Sequence, residues 1–136
     1  MKTKTLEAFY ELGFTLSPIE DMGFEFEYDG IQYLYLPNEK DDEFLNIAIP
    51  GFYKHDESNP IVSYGLMNQI NSTIKYVKAY QLEDRLWLFY EREMIDEPDL
   101  KKTISQMILH LEAALAFARN LITEKSSIEN NDSTDF

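Results

Sequence analysis

With 136 residues, 44% of them hydrophobic, and with 9 Phe, 9 Tyr and 1 Trp, the chain has the size and apolar content of one folded domain, able to bury roughly two thirds of its unfolded surface. Its 25 acidic against 12 basic side chains give a formal charge of -13, which repels phosphate backbones and anionic headgroups, so neither nucleic acid nor a membrane is an expected partner. Cysteine is absent, which excludes disulfides, thiolate metal sites and a cysteine nucleophile.

Residues 1–7 carry lysines but no uninterrupted apolar run and do not read as a signal peptide. No stretch approaches the roughly 20 apolar residues of a membrane span, and a cytoplasmic location is the expectation. Leu6, Phe9 and Tyr10 recur at helical spacing over residues 3–12, and Gly13 stands where that helix would end. Phe24, Phe26 and Tyr28 then alternate with Glu25 and Glu27, Asp29-Gly30 supplies a type I′ hairpin turn, and Ile31, Tyr33 and Tyr35 alternate beyond it. A two-residue turn pairs Tyr28 with Ile31, Phe26 with Tyr33 and Phe24 with Tyr35, and assigns these six to the core. The reverse of the hairpin carries Glu25, Glu27, Gln32, Leu34 and Leu36, a mixture suited to water or to a second protein.

Residues 37–43 form a polar connection, and residues 44–49 predict a third strand ended by Pro50-Gly51. Ser58 or Asn59 can cap a second helix with Pro60 in its first turn, an apolar stripe of Ile61, Tyr64, Met67 and Ile70, and an end near residue 72. Residues 74–80 and 86–91 predict two further strands. A two- or four-residue loop between them places Val77 and Ala79 with Leu88 and Tyr90, and Tyr80, Trp87 and Phe89 on the opposite face; a three- or five-residue loop exchanges the faces. Asp96 opens a last helix with Pro98 in its first turn, where Leu100, Ile104, Met107, Ile108, Leu111, Leu115, Ala118 and Ile122 keep a 3.6-residue period. Beyond Thr123 the composition turns polar and acidic, so residues 1–123 are expected as one domain and residues 124–136 as a mobile tail.

The order of elements, α-β-β-β-α-β-β-α, makes an α+β domain with an antiparallel sheet of about five strands. It resembles the α/β sandwich of type III secretion chaperones and of the YbjN-like family of bacterial sensory transduction regulators, over about residues 3–123. The residues that carry the likeness are the helix end Asn68-Gln69-Ile70-Asn71, the lysine-bearing strand at 74–80, and Leu86-Trp87-Leu88-Phe89-Tyr90. The resemblance implies a non-enzymatic protein, commonly dimeric, that holds extended segments of partner proteins against sheet and helix surfaces. It brings no catalytic motif.

Titratable residues add little chemistry. His110 stands beside Leu109 and Leu111 with no Asp or Glu at i+4, the pattern of a histidine at the edge of a core. His55, with Asp56 and Glu57 in a polar segment, lacks a recognised metal-ligand spacing. The acidic run at 39–43 lacks the spaced ligands and central glycine of a calcium loop, and Glu91, Glu93, Asp96, Glu97 and Asp99 precede a helix N-terminus that favours negative charge. No cofactor or metal is expected. What remains is surface: Tyr80, Trp87 and Phe89, with Leu34 and Leu36, are the candidate protein-binding residues. The expected function is a non-enzymatic protein-interaction or chaperone-like module, homodimeric, using apolar burial and strand addition at a sheet edge, with an acidic rim favouring basic or neutral partners. The alternative is a small-molecule-binding protein or an enzyme with a pocket near His110, formed with Tyr90 and Glu91.

Overall fold

The structure, a computed structural model, describes residues 2–94 and 99–134, with side chains described as far as residue 124. Helix α1 spans Lys2–Glu11. It ends because Gly13 takes φ 93°, a left-handed conformation open to glycine. The Gly13 N–H donates to the Tyr10 carbonyl and the Phe14 N–H to the Phe9 carbonyl, a Schellman closure. The apolar contact that accompanies this closure is the Phe14 ring against Phe9, with centroids 6.0 Å apart. Phe9 is fully buried and also meets Phe26 at 4.9 Å and Tyr35 at 5.4 Å. The helix terminator therefore docks α1 on the first hairpin.

Among the described residues six antiparallel strands follow: β1 (Ser17–Ile19), β2 (Gly23–Tyr28), β3 (Ile31–Tyr35), β4 (Phe44–Lys54), β5 (Val77–Leu82) and β6 (Arg85–Glu93), in the sheet order β1-β2-β3-β4-β6-β5. The first hairpin has the expected register, with Tyr28 opposite Ile31, Phe26 opposite Tyr33 and Phe24 opposite Tyr35. Asp29 and Gly30 both take positive φ, as a type I′ turn requires. In the second hairpin Leu82 pairs with Arg85, so Glu83-Asp84 is a two-residue turn. Val77, Ala79, Leu88 and Tyr90 therefore share one face, and Tyr80, Trp87 and Phe89 the other.

Two strand expectations need correction. The sheet has six strands instead of about five, because Ser17–Ile19 pairs with Gly23–Glu25; three residues containing a proline carry no alternation to read. The third expected strand does not stop at Pro50-Gly51 but runs on to Lys54. Between the pairs Ile49–Leu88 and Tyr53–Leu86, three residues of β4 lie opposite Trp87 alone, a bulge in which Gly51 takes φ 51°. The bulge absorbs the proline without ending the strand.

Helix α2 (Pro60–Thr73) begins at Pro60 as expected, but its buried positions are Ser63, Leu66 and Ile70. Ile61 and Tyr64 of the expected stripe are exposed. The helix is rotated because Ser63 Oγ lies 2.7 Å from His55 Nδ1 inside the protein. Helix α3 (Leu100–Thr134) carries the expected period: Ile104, Met107, Ile108, Leu111, Leu115 and Ala118 are buried, and Leu100 and Ile122 pack at the margin. Its expected cap Asp96, with Pro98, lies outside the described residues. Asp99 takes the role, its carboxylate accepting from the Lys102 N–H at 3.0 Å. The acidic segment after Thr123, expected as a tail, continues the backbone of α3 to Thr134.

All three helices contribute to one core cluster, whose strand members are Phe26, Tyr33, Tyr35, Leu45, Ile47, Ile49, Val77, Ala79, Leu86, Leu88 and Tyr90. By alternation these belong to the inner face of the sheet. The helix end Asn68-Gln69-Ile70-Asn71 fastens the outermost strand β5: Asn71 Nδ2 donates to the Ala79 carbonyl at 2.9 Å, and the Ala79 N–H donates to Asn71 Oδ1 at 2.7 Å. One side-chain amide thus stands in for a seventh strand. Near the first hairpin, Glu112 of α3 has one carboxyl oxygen shut from water, and its carboxyl group meets the Asp29 side chain. Burial first, and the Asp29 carboxylate second, push its pKa up.

Asn71→Ala is expected to lower stability by about 2 kcal/mol, because it strips both groups of Ala79 at a partly buried edge, as urea unfolding would register. For Glu112 the folded pKa exceeds the unfolded one, so its stabilising contribution is complete below the ordinary glutamate pKa of about 4.3 and is lost as pH rises through the folded value. Glu112→Gln should therefore flatten the fall in melting temperature above that pH; an unchanged pH profile would contradict the assignment.

Candidate protein-interaction surface

The five residues singled out from sequence share the outer face of the sheet. Strand registers place Glu25, Leu34, Ala48, Phe89 and Lys78 in one row across β2, β3, β4, β6 and β5. Leu36, Trp87 and Tyr80 flank that row by the same alternation. Among the described residues no helix contributes core contacts on this side. The five differ in accessibility. Tyr80 is 39% exposed, Trp87 and Leu36 are half-buried, and Phe89 and Leu34 are buried.

The cause is ring stacking. Phe89 lies parallel to Tyr80 at 4.2 Å between centroids and to Trp87 at 5.7 Å. The three rings form a step in which Phe89 is the underlayer, and Tyr80 and Trp87 meet solvent. Burial, and to a lesser degree the Glu91 carboxylate, push the Tyr80 hydroxyl pKa up. The partly exposed Phe44 and Leu82 extend the apolar surface. Around it the face carries Glu25, Glu27, Glu91 and Glu93, but also Lys54, Lys78 and Arg85, so this rim is of mixed sign although the chain as a whole is acidic.

The ends of the sheet are less inviting than the face. β1 is three residues long and includes Pro18, and β5 is held at its midpoint by Asn71. Short strands, prolines and side-chain cover are the usual guards of a sheet edge. Strand addition, expected from sequence, finds a long open edge at neither end among the described residues.

His110 lies on a concavity of about 550 Å³ with Tyr76, Tyr90, Glu91, Arg92, Glu93 and Gln106. The sequence alternative named three of these residues, and the structure brings them together. The concavity is open, and His110 is exposed. Its neighbours are rings: Tyr76 at 5.3 Å and Tyr90 at 5.9 Å, with the two tyrosines stacked at 5.7 Å. Tyr76 reaches this position through φ 71°, a strained conformation for a bulky residue. Aromatic packing holds the imidazole at the rim of the concavity.

His55, expected in a solvated segment, is instead buried against Ser63 and stacked on Tyr64 at 5.9 Å. Ser63 is 1% exposed, so the pair braces the start of α2 and has no access to substrate. Asp56, beside it, accepts from the Ser58 N–H and hydroxyl, which lowers its pKa. Among the described residues no group of three His, Cys, Asp or Glu is placed to hold a metal ion, and no helix is long and apolar enough to cross a membrane.

No family model matches the chain, and no curated protein matches it in sequence. Among solved structures it is similar to YbjN of E. coli, a proposed transcription regulator, with TM-score 0.65 and 10% identity over 85% of this chain and 86% of that one. At that identity the likeness shows the fold: α+β, with an antiparallel sheet and helices in the YbjN arrangement.

The stacking geometry separates structural from accessible residues on the outer face. Phe89→Ala is expected to cost about 3 kcal/mol of stability, whereas Lys78→Ala, next in the same row, should stay within about 0.5 kcal/mol, both read by chemical denaturation.

Proposed function

We propose that this chain, with the fold of YbjN and one sheet face left uncovered among the described residues, is a non-enzymatic protein-interaction module of regulatory or chaperone-like type, working in the cytoplasm. It takes a partner protein on the outer face, with Tyr80, Trp87 and Leu36 as contacts over an underlayer of Phe89 and Leu34. One observation carries the reading: three stacked rings on the side of the sheet away from the core, two of them reaching solvent. Large rings with few rotatable bonds bury much area at small entropic cost, which is why such residues anchor protein interfaces. The stack is also pre-formed, so binding orders little.

The enzyme alternative has weaker support. Its residues share a concavity, but the histidine is packed by rings, and the buried His55–Ser63 pair is closed to substrate. The interaction reading predicts that a tagged chain retains specific partners from native extract, and that Trp87→Ala with Tyr80→Ala reduces their recovery at least about tenfold, the effect of losing roughly 1.4 kcal/mol of contact. Unchanged recovery by folded variants would remove the outer face from the account.

A further inference from the structure

We infer that the concavity beside His110 is a binding site in its own right, and that its ligand is a small aromatic carboxylate. It lies apart from the outer face and stands or falls without the interaction reading. Its position follows from the sheet. Pairing of β5 with β6 ends at Val77 and Tyr90, whereas β6 runs on beside β4 to Glu93. Tyr76 turns away at this step, and Gln106 and His110 of α3 close it from the helix side. Its volume of about 550 Å³ is that of a ligand pocket, typically about 300 to 1,000 Å³.

Alternation decides which charges face it. Arg92 and Tyr90 stand opposite Leu45 and Ile47, both buried on the inner face, so they point inward toward α3. Glu91 and Glu93 point outward and border the concavity along the edge of their strand. The Glu91 carboxylate accordingly acts on Tyr80 of the outer face, whereas the Tyr90 hydroxyl, pushed up in pKa by burial, responds next to Arg92 and Tyr76. The Met94 N–H donates to the Glu43 carbonyl at 2.7 Å, so the Glu93 N–H is directed to the opposite side, which β5 has left. On α3, Lys102, Gln106 and His110 stand one turn apart in a single row. Asp99 is engaged at the Lys102 N–H, and Glu112 meets Asp29 at the first hairpin. In a chain of charge -13, the side chains turned toward this concavity among the described residues are cationic, neutral or aromatic.

These groups specify the two halves of a ligand. Tyr76 is 65% exposed, yet its ring is held parallel to Tyr90 at 5.7 Å and beside His110 at 5.3 Å. Its φ of 71° is strained for a bulky residue, and such strain persists where the surroundings impose it. The exposed Tyr76 and His110 rings thus offer a shelf on which a flat apolar body can stack. Arg92 is bonded to the Tyr90 hydroxyl, which fixes its guanidinium at the edge of that shelf. Five donors in one plane allow it to serve a carboxylate as well. The Glu93 N–H and the Gln106 amide stand at the same opening. A cationic ring would stack as readily but meet Arg92 with like charge; a flat anion satisfies both halves.

The chain has two histidines, so proton NMR of the full chain reads the site through His110 with the buried His55 as internal standard. Naphthoate, the probe, is expected to shift the His110 resonance saturably, with Kd near about 1 mM for a ligand of its size, and to leave His55 and the Trp87 indole N–H in place. The isosteric naphthamide should bind at least about tenfold more weakly, and naphthylmethylamine more weakly still. Arg92→Lys keeps the charge but loses the planar fork, and Tyr76→Gly suits the left-handed backbone while removing the ring; each should weaken naphthoate at least about tenfold. Circular dichroism checks that the variants fold; should one not, the comparison of acid, amide and amine on the wild type decides. A His110 resonance unmoved at about 10 mM naphthoate, an amide or amine that binds as well as the acid, or folded variants that bind like wild type would each overturn the inference. So would a shift of the Trp87 indole in place of His110, which would put the probe on the outer face.

Discussion

Two tight turns hold the arrangement in place. Asp29-Gly30 and Glu83-Asp84 each join their strands with two residues, and Asp29, Gly30 and Glu83 take positive φ to do so. Because side chains alternate strictly, one residue more or fewer in either turn would move a whole strand's inner set to the outer face. Phe26 or Tyr33 at the first turn would then leave the core, and at the second Leu88 and Tyr90 would leave it while Phe89 entered. The separation of a helix-covered face from an open one, on which every functional statement depends, is fixed at these two points.

The aromatic residues divide accordingly. Phe9, Phe26, Tyr33 and Tyr35 close the core beneath α1, with Phe26 and Tyr33 stacked at 5.3 Å, and Thr5 bonded to the Tyr35 hydroxyl, whose pKa burial raises. Tyr80, Trp87 and Phe89 form a second cluster, separated from the first by the thickness of the sheet. A single small core of this size leaves the second cluster without cover of its own among the described residues. The asymmetry of cover, more than the total apolar content, is what distinguishes this chain from an acidic domain with an ordinary solvated surface.

Much of this was legible in residues whose local chemistry and tertiary role agree. The Asp29-Gly30 hairpin, the terminator at Gly13 and the period of α3 each have one dominant physical cause, so pattern and structure coincide. Legibility failed where a tertiary contact overrode the pattern. β1 has too few residues to alternate, β4 passes through Pro50-Gly51 because a bulge accommodates them, and α2 turns toward Ser63 because His55 waits inside. The Asn71 motif was visible but its purpose was not, since only the structure shows its amide closing the β5 edge at Ala79. On the outer face, sequence singled out the five residues but could not tell that they share one face, nor that Phe89 and Leu34 lie beneath Tyr80, Trp87 and Leu36.

Trp87 is the chain's only tryptophan and sits at the centre of the proposed contact, so its fluorescence reports on that face and on nothing else. Quenching by acrylamide, followed from nanomolar to about 100 µM protein, is the most direct measurement. If the outer face is an interaction surface, the quenching constant falls and the emission moves to shorter wavelength once a protein covers it. A constant, freely quenched indole across the whole range, unchanged also by native extract, would contradict the account.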